Sequence, residues 1–248
     1  MARQKAAKRN TKDFQLISLD VEKKFMPDIK KKFSLHDLNH ISPMTENQRA
    51  AFNLWEDPET TVLGLLGYAG TGKSFLACYL ALKEVLDPST PYKKIVIVKS
   101  TVECRSLGSL PGEIEDKVSP FKEPYRYIFD ELLSYKKSFQ NMEEIGLVEF
   151  MPTSYLRGIS FNDSIVIFEE CQDNTFIEAE TVLTRLGENS KMLITGDENQ
   201  NDLGSRSGFY GILPILRRTD GTAFVDFGLE DIVRSGWVKN YLLAKYRK

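Results

Sequence analysis

The stretch from Thr61 to Leu76, TVLGLLGYAGTGKSFL, constrains this chain more than any other. A short apolar run leads into a glycine-rich loop and then into an apolar stretch of helical character. Gly67, Gly72, Lys73 and Ser74 fill the fixed positions of G-x-x-x-x-G-K-[ST], the P-loop, with a strand and a helix expected on its two sides. Gly67, Gly70 and Gly72 can take positive φ, so that successive backbone N–H groups turn inward around a phosphate. The start of the helix adds partial positive charge at the same point. Lys73 is then expected to reach the β- and γ-phosphates of ATP, and Ser74 to ligate Mg2+. Thr71 and Phe75 complete the expected nucleotide-binding set. The alternative is a glycine turn that holds nothing.

The 248 residues allow one large domain or two small ones, at about 100–200 residues each. With 42% hydrophobic residues, a real core can form. No apolar run approaches the roughly 20 residues a bilayer needs. The start, MARQKAAKRNTK, lacks the apolar segment of a secretory signal. Cys78, Cys104 and Cys171 are odd in number and unpaired in spacing, which fits a reducing cytoplasm.

The net charge of −2 conceals an asymmetry: residues 1–33 hold ten Lys or Arg against four acids, so the remainder is acidic. We read 1–41 as a basic arm and linker, and 42–248 as the main domain. Such an arm suits contact with nucleic acid, and equally suits a solvated terminus. His36 and His40 have no carboxylate or cysteine at ligand spacing, so no metal site is expected there. From Glu46, ENQRAAFNLW is helical in character. Gln48 at its start carries a donor and an acceptor that suit adenine's N6/N7 edge, although an exposed helix residue reads the same way.

Candidate strands follow at Lys94–Lys99, Leu147–Met151, Ser164–Phe168, Lys191–Thr195 and Thr222–Phe227. They are β-branched and nearly unbroken by polar residues, as expected of a parallel sheet covered on both faces. Functional residues should therefore gather at the carboxyl ends of strands. After SIVIF come Glu169, Glu170 and Gln172, which read as a magnesium-holding carboxylate beside one that activates water. After KMLIT come Gly196, Asp197 and Gln200, a turn suited to sensing the γ-phosphate. After KIVIVK lies a long polar loop whose Lys99, Arg105 and Gly112 are candidates for contact with a nucleic-acid strand.

TENQ, GYAGTGKS, VECRSLGSLPGEIEDKVSPF, YLRGISFNDSIVIFEECQ, LTRLGENSKMLITGDENQND and EDIVRS, in this order, resemble the PhoH-like proteins, P-loop ATPases related to the first RecA-like domain of superfamily 1 helicases. The resemblance runs from about Thr45 to Val238. It implies an α/β fold, a single RecA-like P-loop domain with a mainly parallel β-sheet covered by helices on both faces. It also implies adenine contact by Gln48, phosphate binding by Gly72, Lys73 and Ser74, magnesium and water handling by Glu169 and Glu170, and glutamine motifs at Gln172 and Gln200. Glu169 stands where the family has aspartate, and Lys99-Ser100 where relatives often show Arg-Pro.

Three classes of function are open: an ATPase acting on or with RNA or single-stranded nucleic acid, a phosphotransferase on a small molecule, and a nucleotide-binding regulatory module with little turnover. The glutamine motifs favour the first. Two-domain relatives supply an arginine to the ATP site from their second domain, and this chain has room for one. A homo-oligomeric ring, such as a hexamer, is therefore expected, with Arg234 of EDIVRS acting on a neighbour's nucleotide and Arg185 of LTRLG as the second candidate.

Overall fold

The computed structural model describes residues 33–100, 114–156 and 158–246. The basic arm up to residue 32, and Arg105 and Gly112 of the polar loop, lie outside the described residues.

Among the described residues six strands form one parallel sheet: β1 (Val62–Gly67), β2 (Lys94–Lys99), β3 (Val148–Pro152), β4 (Ser164–Glu169), β5 (Lys191–Gly196) and β6 (Thr222–Phe227). Seven helices accompany them: α1 (Glu46–Glu56), α2 (Lys73–Leu86), α3 (Ile114–Leu133), α4 (Ser138–Glu144), α5 (Phe176–Leu183), α6 (Phe209–Leu216) and α7 (Gly236–Tyr246). The sheet order is β3-β2-β4-β5-β1-β6, with every pairing parallel. This is the α/β architecture of a RecA-like P-loop domain. The P-loop strand β1 is separated from the acid-bearing strand β4 by β5, so three strand ends converge on one point.

The period of two along each strand explains why these runs are apolar throughout. Leu63, Leu65, Ile95, Ile97, Ile165, Ile167 and Leu193 point into a core closed by α1 to α4. Their neighbours Val96, Val98, Val166, Phe168, Met192 and Ile194 point into a second core closed by α5 and α6. A strand covered on both sides can spare no position for a polar residue. The central helix α2 buries Leu76, Leu80 and Leu82 against the first core. Truncating Leu80 or Leu82 to alanine would cost about 2–5 kcal/mol.

The segment expected as a linker is docked from Phe33 onward. Phe33 is buried and meets Tyr135 edge to face at 6.4 Å, while the Asn39 N–H donates to the Leu132 carbonyl at 2.8 Å. Leu38 and Ile41 pack on the same core. Residues 33–41 therefore pack on the body of the domain, through Phe33, Leu38 and Ile41. Residues 114–117, which read as the end of the polar loop, already form the first turn of α3.

Candidate nucleotide site

The P-loop bends where the glycines permit it. Gly67, Gly70 and Gly72 have φ of 128°, 80° and 85°. At Gly67 a side chain would run into the Phe227 carbonyl of β6. Gly72 is the N-cap of α2 and offers no side chain to it, so the first N–H groups of that helix remain available to an anion. Thr71 is fully buried, and its hydroxyl donates to the Tyr68 carbonyl at 2.9 Å, closing the loop from within.

Lys73 is held inside the loop. Its Nζ donates to the carbonyls of Gly67 and Tyr68 at 2.7 and 2.8 Å. Burial lowers its pKa from the ordinary 10.5, and the charges of Asp197, Glu170 and Glu169 oppose that shift. The ammonium is thus parked on neutral carbonyls amid three acids, and a phosphate group would be a stronger partner than either carbonyl.

Beneath the loop, the Ser74 hydroxyl donates to Glu169 Oε2 at 3.0 Å. Glu169 is the last residue of β4 and is buried, and its Oε1 has no hydrogen-bond partner. Burial first, and the adjacent Glu170 second, push its carboxyl up to about 7, against the pull of Lys99 and of the Ser74 hydroxyl. A buried carboxylate with one oxygen on the P-loop serine and the other without a partner fits a hard cation. Among the described residues no group of three His, Cys, Asp or Glu side chains could hold a metal ion alone. Ser74 and Glu169 could serve magnesium, which takes few protein ligands and keeps phosphate and water for the rest.

Glu170 turns the chain out of the strand in a left-handed conformation (φ 50°), its N–H bonded to the Thr195 hydroxyl at 3.2 Å. Such a conformation in a non-glycine residue is costly and is found at sites that need it. Its carboxylate accepts from Gln172 Nε2 at 2.7 Å, and Gln172 Oε1 accepts from the Asp197 N–H at 3.0 Å. Gln172, almost wholly buried, ties the end of β4 to the end of β5. Asp197 is also buried, with Oδ1 bonded to Asn199 and Oδ2 without a partner. Gln200 is exposed, and its carbonyl accepts from Gln172 Nε2 at 3.4 Å.

Gln48 is buried against the P-loop. Its Nε2 donates to the Thr71 carbonyl at 3.2 Å and its Oε1 accepts from the Met44 N–H at 2.8 Å. One N–H and one lone pair remain for a base. The Phe75 side chain is half-buried and packs on the core.

Arg234, expected to act on a neighbour's nucleotide, lies beside its own P-loop. A Cβ on Gly70 would sit 2.8 Å from Arg234 Cγ, and the Val233 N–H donates to the Gly70 carbonyl at 3.0 Å. The EDIVRS segment folds back because Asp231, buried, accepts from Asn47 of α1 at 2.7 Å and from the Gly228 N–H at 2.8 Å. Asn47 and Asp231 were not singled out in the sequence, although both lie inside quoted motifs. Arg185 is placed at the amino ends of the strands: its carbonyl accepts from the Phe161 N–H at 2.8 Å, just before β4 begins.

The pattern of the family described as "PhoH-like protein" matches residues 40–245. A PhoH-like protein of Bacillus subtilis is 37% identical over 182 residues, 72% of this chain and 56% of that protein. One from Synechocystis is 35% identical over 187 residues, 73% of this chain and 56% of its own length. Protein PhoH of Escherichia coli is 32% identical over 213 residues, 84% of this chain and 60% of its own. The chain thus spans little more than half the length of these relatives. With the P-loop, the acid pair and the flanking motifs brought together at one sheet edge, and with the match running through nearly all the described residues, the chain belongs to the PhoH-like protein family, a family of P-loop ATPases.

Proposed function

We propose that this protein binds ATP with magnesium and hydrolyses it, and that it works on or with RNA or single-stranded nucleic acid. The observation that carries this reading is the pair at the end of β4: Glu169 joined to Ser74, and Glu170 aimed by Gln172.

Each residue has a separate task. Lys73 exchanges the Gly67 and Tyr68 carbonyls for phosphate oxygens, at little cost because its present bonds are to neutral groups. Ser74 and Glu169 hold magnesium, which when bound offsets phosphate charge. Glu170 takes the proton of the attacking water, and the Gln172 amide keeps that carboxylate in place. Asp197, linked to Gln172 through its N–H, connects the β5 turn to the same group.

The assembly we propose is a ring of identical subunits. An arginine acting on a neighbour must stand away from its own P-loop, and this condition is met by Arg185 and not by Arg234. Arg234 acts within its own subunit, its stem covering Gly70.

Nucleotide trapping tests the catalytic reading. Glu170→Gln should bind ATP and magnesium without releasing phosphate, since an amide cannot accept the proton. Turnover at the wild-type rate by that variant would refute the assignment of Glu170.

A further inference from the structure

The P-loop is held on two sides by different groups. From within, Lys73 Nζ and the Thr71 hydroxyl both donate to the Tyr68 carbonyl, at 2.8 and 2.9 Å. From without, the chain that follows β6 grips the same arm of the loop. The Val233 N–H donates to the Gly70 carbonyl at 3.0 Å, and Leu242 Cδ1 lies 3.4 Å from where a Gly70 side chain would begin. At the end of α7 the Tyr246 ring lies 4.8 Å from the Tyr68 ring, with 50° between their planes.

The two holds are coupled, because both act on Tyr68. Its carbonyl is fixed by Lys73, and its ring is the seat of Tyr246. A phosphate is a stronger partner for the Lys73 ammonium than a neutral carbonyl. When Lys73 turns to one, the Tyr68 carbonyl loses one of its two donors and keeps the Thr71 hydroxyl. The seat of Tyr246 then loosens.

The two ends of the gripping segment differ in how firmly they are fixed. Its start is anchored by Asp231, 1% exposed, which accepts from Asn47 Nδ2 at 2.7 Å and from the Gly228 N–H at 2.8 Å. Its end is α7, no residue of which is wholly buried, so little apolar burial holds it down. The Tyr246 hydroxyl is enclosed without a hydrogen-bond partner, a penalty that water relieves when the ring lifts away.

We propose that α7 is a nucleotide-responsive clasp, docked on the empty P-loop through Tyr246 and Tyr68 and loosened when Lys73 turns to a phosphate. This rests on the reading of the loop as an ATP site, and it adds the element through which occupancy of that site reaches the surface. Tyr246 is a positioning residue, acting on nucleotide only through Tyr68 and Lys73. Coupling of this kind is reciprocal, so undocking α7 favours nucleotide by the same factor that nucleotide favours undocking. The clasp therefore restrains binding.

Hydrogen exchange and calorimetry on the full chain test it. Saturating ADP with magnesium should raise exchange across residues 237–246 by about fivefold. Lys73→Met should raise it in the same residues with no nucleotide present, because the stem stays and the ammonium is gone. Tyr246→Ala should bind ADP with magnesium about fivefold more tightly than wild type. Tyr246→Phe keeps the ring and removes the unpartnered hydroxyl, so the helix docks more firmly and ADP should bind about twofold more weakly. A Tyr246 needed only for packing would give the opposite sign in the alanine variant.

Unchanged or weaker ADP binding by Tyr246→Ala, or a shift in the same direction in both Tyr246 variants, overturns the clasp. Unchanged exchange of residues 237–246 in nucleotide-free Lys73→Met also overturns it. If wild-type protein binds neither ADP nor ATP, the ATP reading falls and the nucleotide response falls with it. If it binds ADP and exchange in α7 does not rise, the clasp alone falls.

Discussion

Gln172 donates to the Glu170 carboxylate at 2.7 Å and accepts the Asp197 N–H at 3.0 Å, so one buried amide spans the two strand ends that flank the proposed reaction centre. Nothing in that geometry requires Gln172 to touch a nucleotide. It is a positioning residue, and Gln172→Ala should lower kcat by about 10- to 100-fold while KM for ATP changes little, since what is lost is the aim of the general base. Steady-state kinetics separate the two. A rise in KM with unchanged kcat would assign Gln172 to ATP binding instead.

Glu169 gives a prediction in the absence of magnesium. Its carboxyl sits at about 7 in the folded chain against an ordinary 4.5, mainly through burial. The folded protein therefore holds a proton that the unfolded chain releases between those values, and stability falls as pH rises through that window. Glu169→Gln should stabilise the magnesium-free protein above pH 7 by something on the order of 1–3 kcal/mol, and by little below pH 4.5. Urea unfolding in chelator across this range measures it. Glu169→Asp, which restores the family's residue, should keep or raise magnesium-dependent turnover.

Gly70 has φ of 80° and lies under Arg234 and Leu242. Gly70→Ala should cost about 1–3 kcal/mol through backbone strain and should loosen the packing of the EDIVRS segment and α7 on the P-loop. Hydrogen exchange at residues 233–246 reads the second effect. Unchanged protection there would mean that the close approach is not what seats the helix.

Mixing experiments separate the two arginines. Lys73→Ala and Arg185→Ala proteins, each inactive, should regain activity when mixed, because some sites would pair an intact P-loop with a neighbour's intact arginine. Lys73→Ala mixed with Arg234→Ala should not recover, because both residues serve one subunit's site. Rescue by Arg234→Ala, with none by Arg185→Ala, would reverse the assignment.

The strands were legible in the sequence because burial on both faces leaves uninterrupted β-branched runs. KIVIVK and TAFVDF were placed to the residue, and SIVIF ended one residue short of Glu169. The P-loop and the acid pair were legible because their chemistry sits within a few consecutive residues. The closeness of Arg234 to its own P-loop was not legible, for the opposite reason. Its position follows from the Asn47–Asp231 bond between residues 184 apart, and no local period reports such a contact. Gln172 appeared as a motif position, while its bridge between β4 and β5 depends on sheet order, which the strand patterns do not encode. The docking of residues 33–41 was hidden by their largely polar composition, with Phe33, Leu38 and Ile41 too widely spaced to show a helical or strand period.

Phosphate release from ATP by the full chain, with and without magnesium, is the most direct test of the account. Wild-type protein should release phosphate only with magnesium and faster with single-stranded RNA or DNA, and Lys73→Ala should show no turnover because the γ-phosphate loses its countercharge. Wild-type protein that binds ATP yet releases no phosphate under any of these conditions would contradict the account.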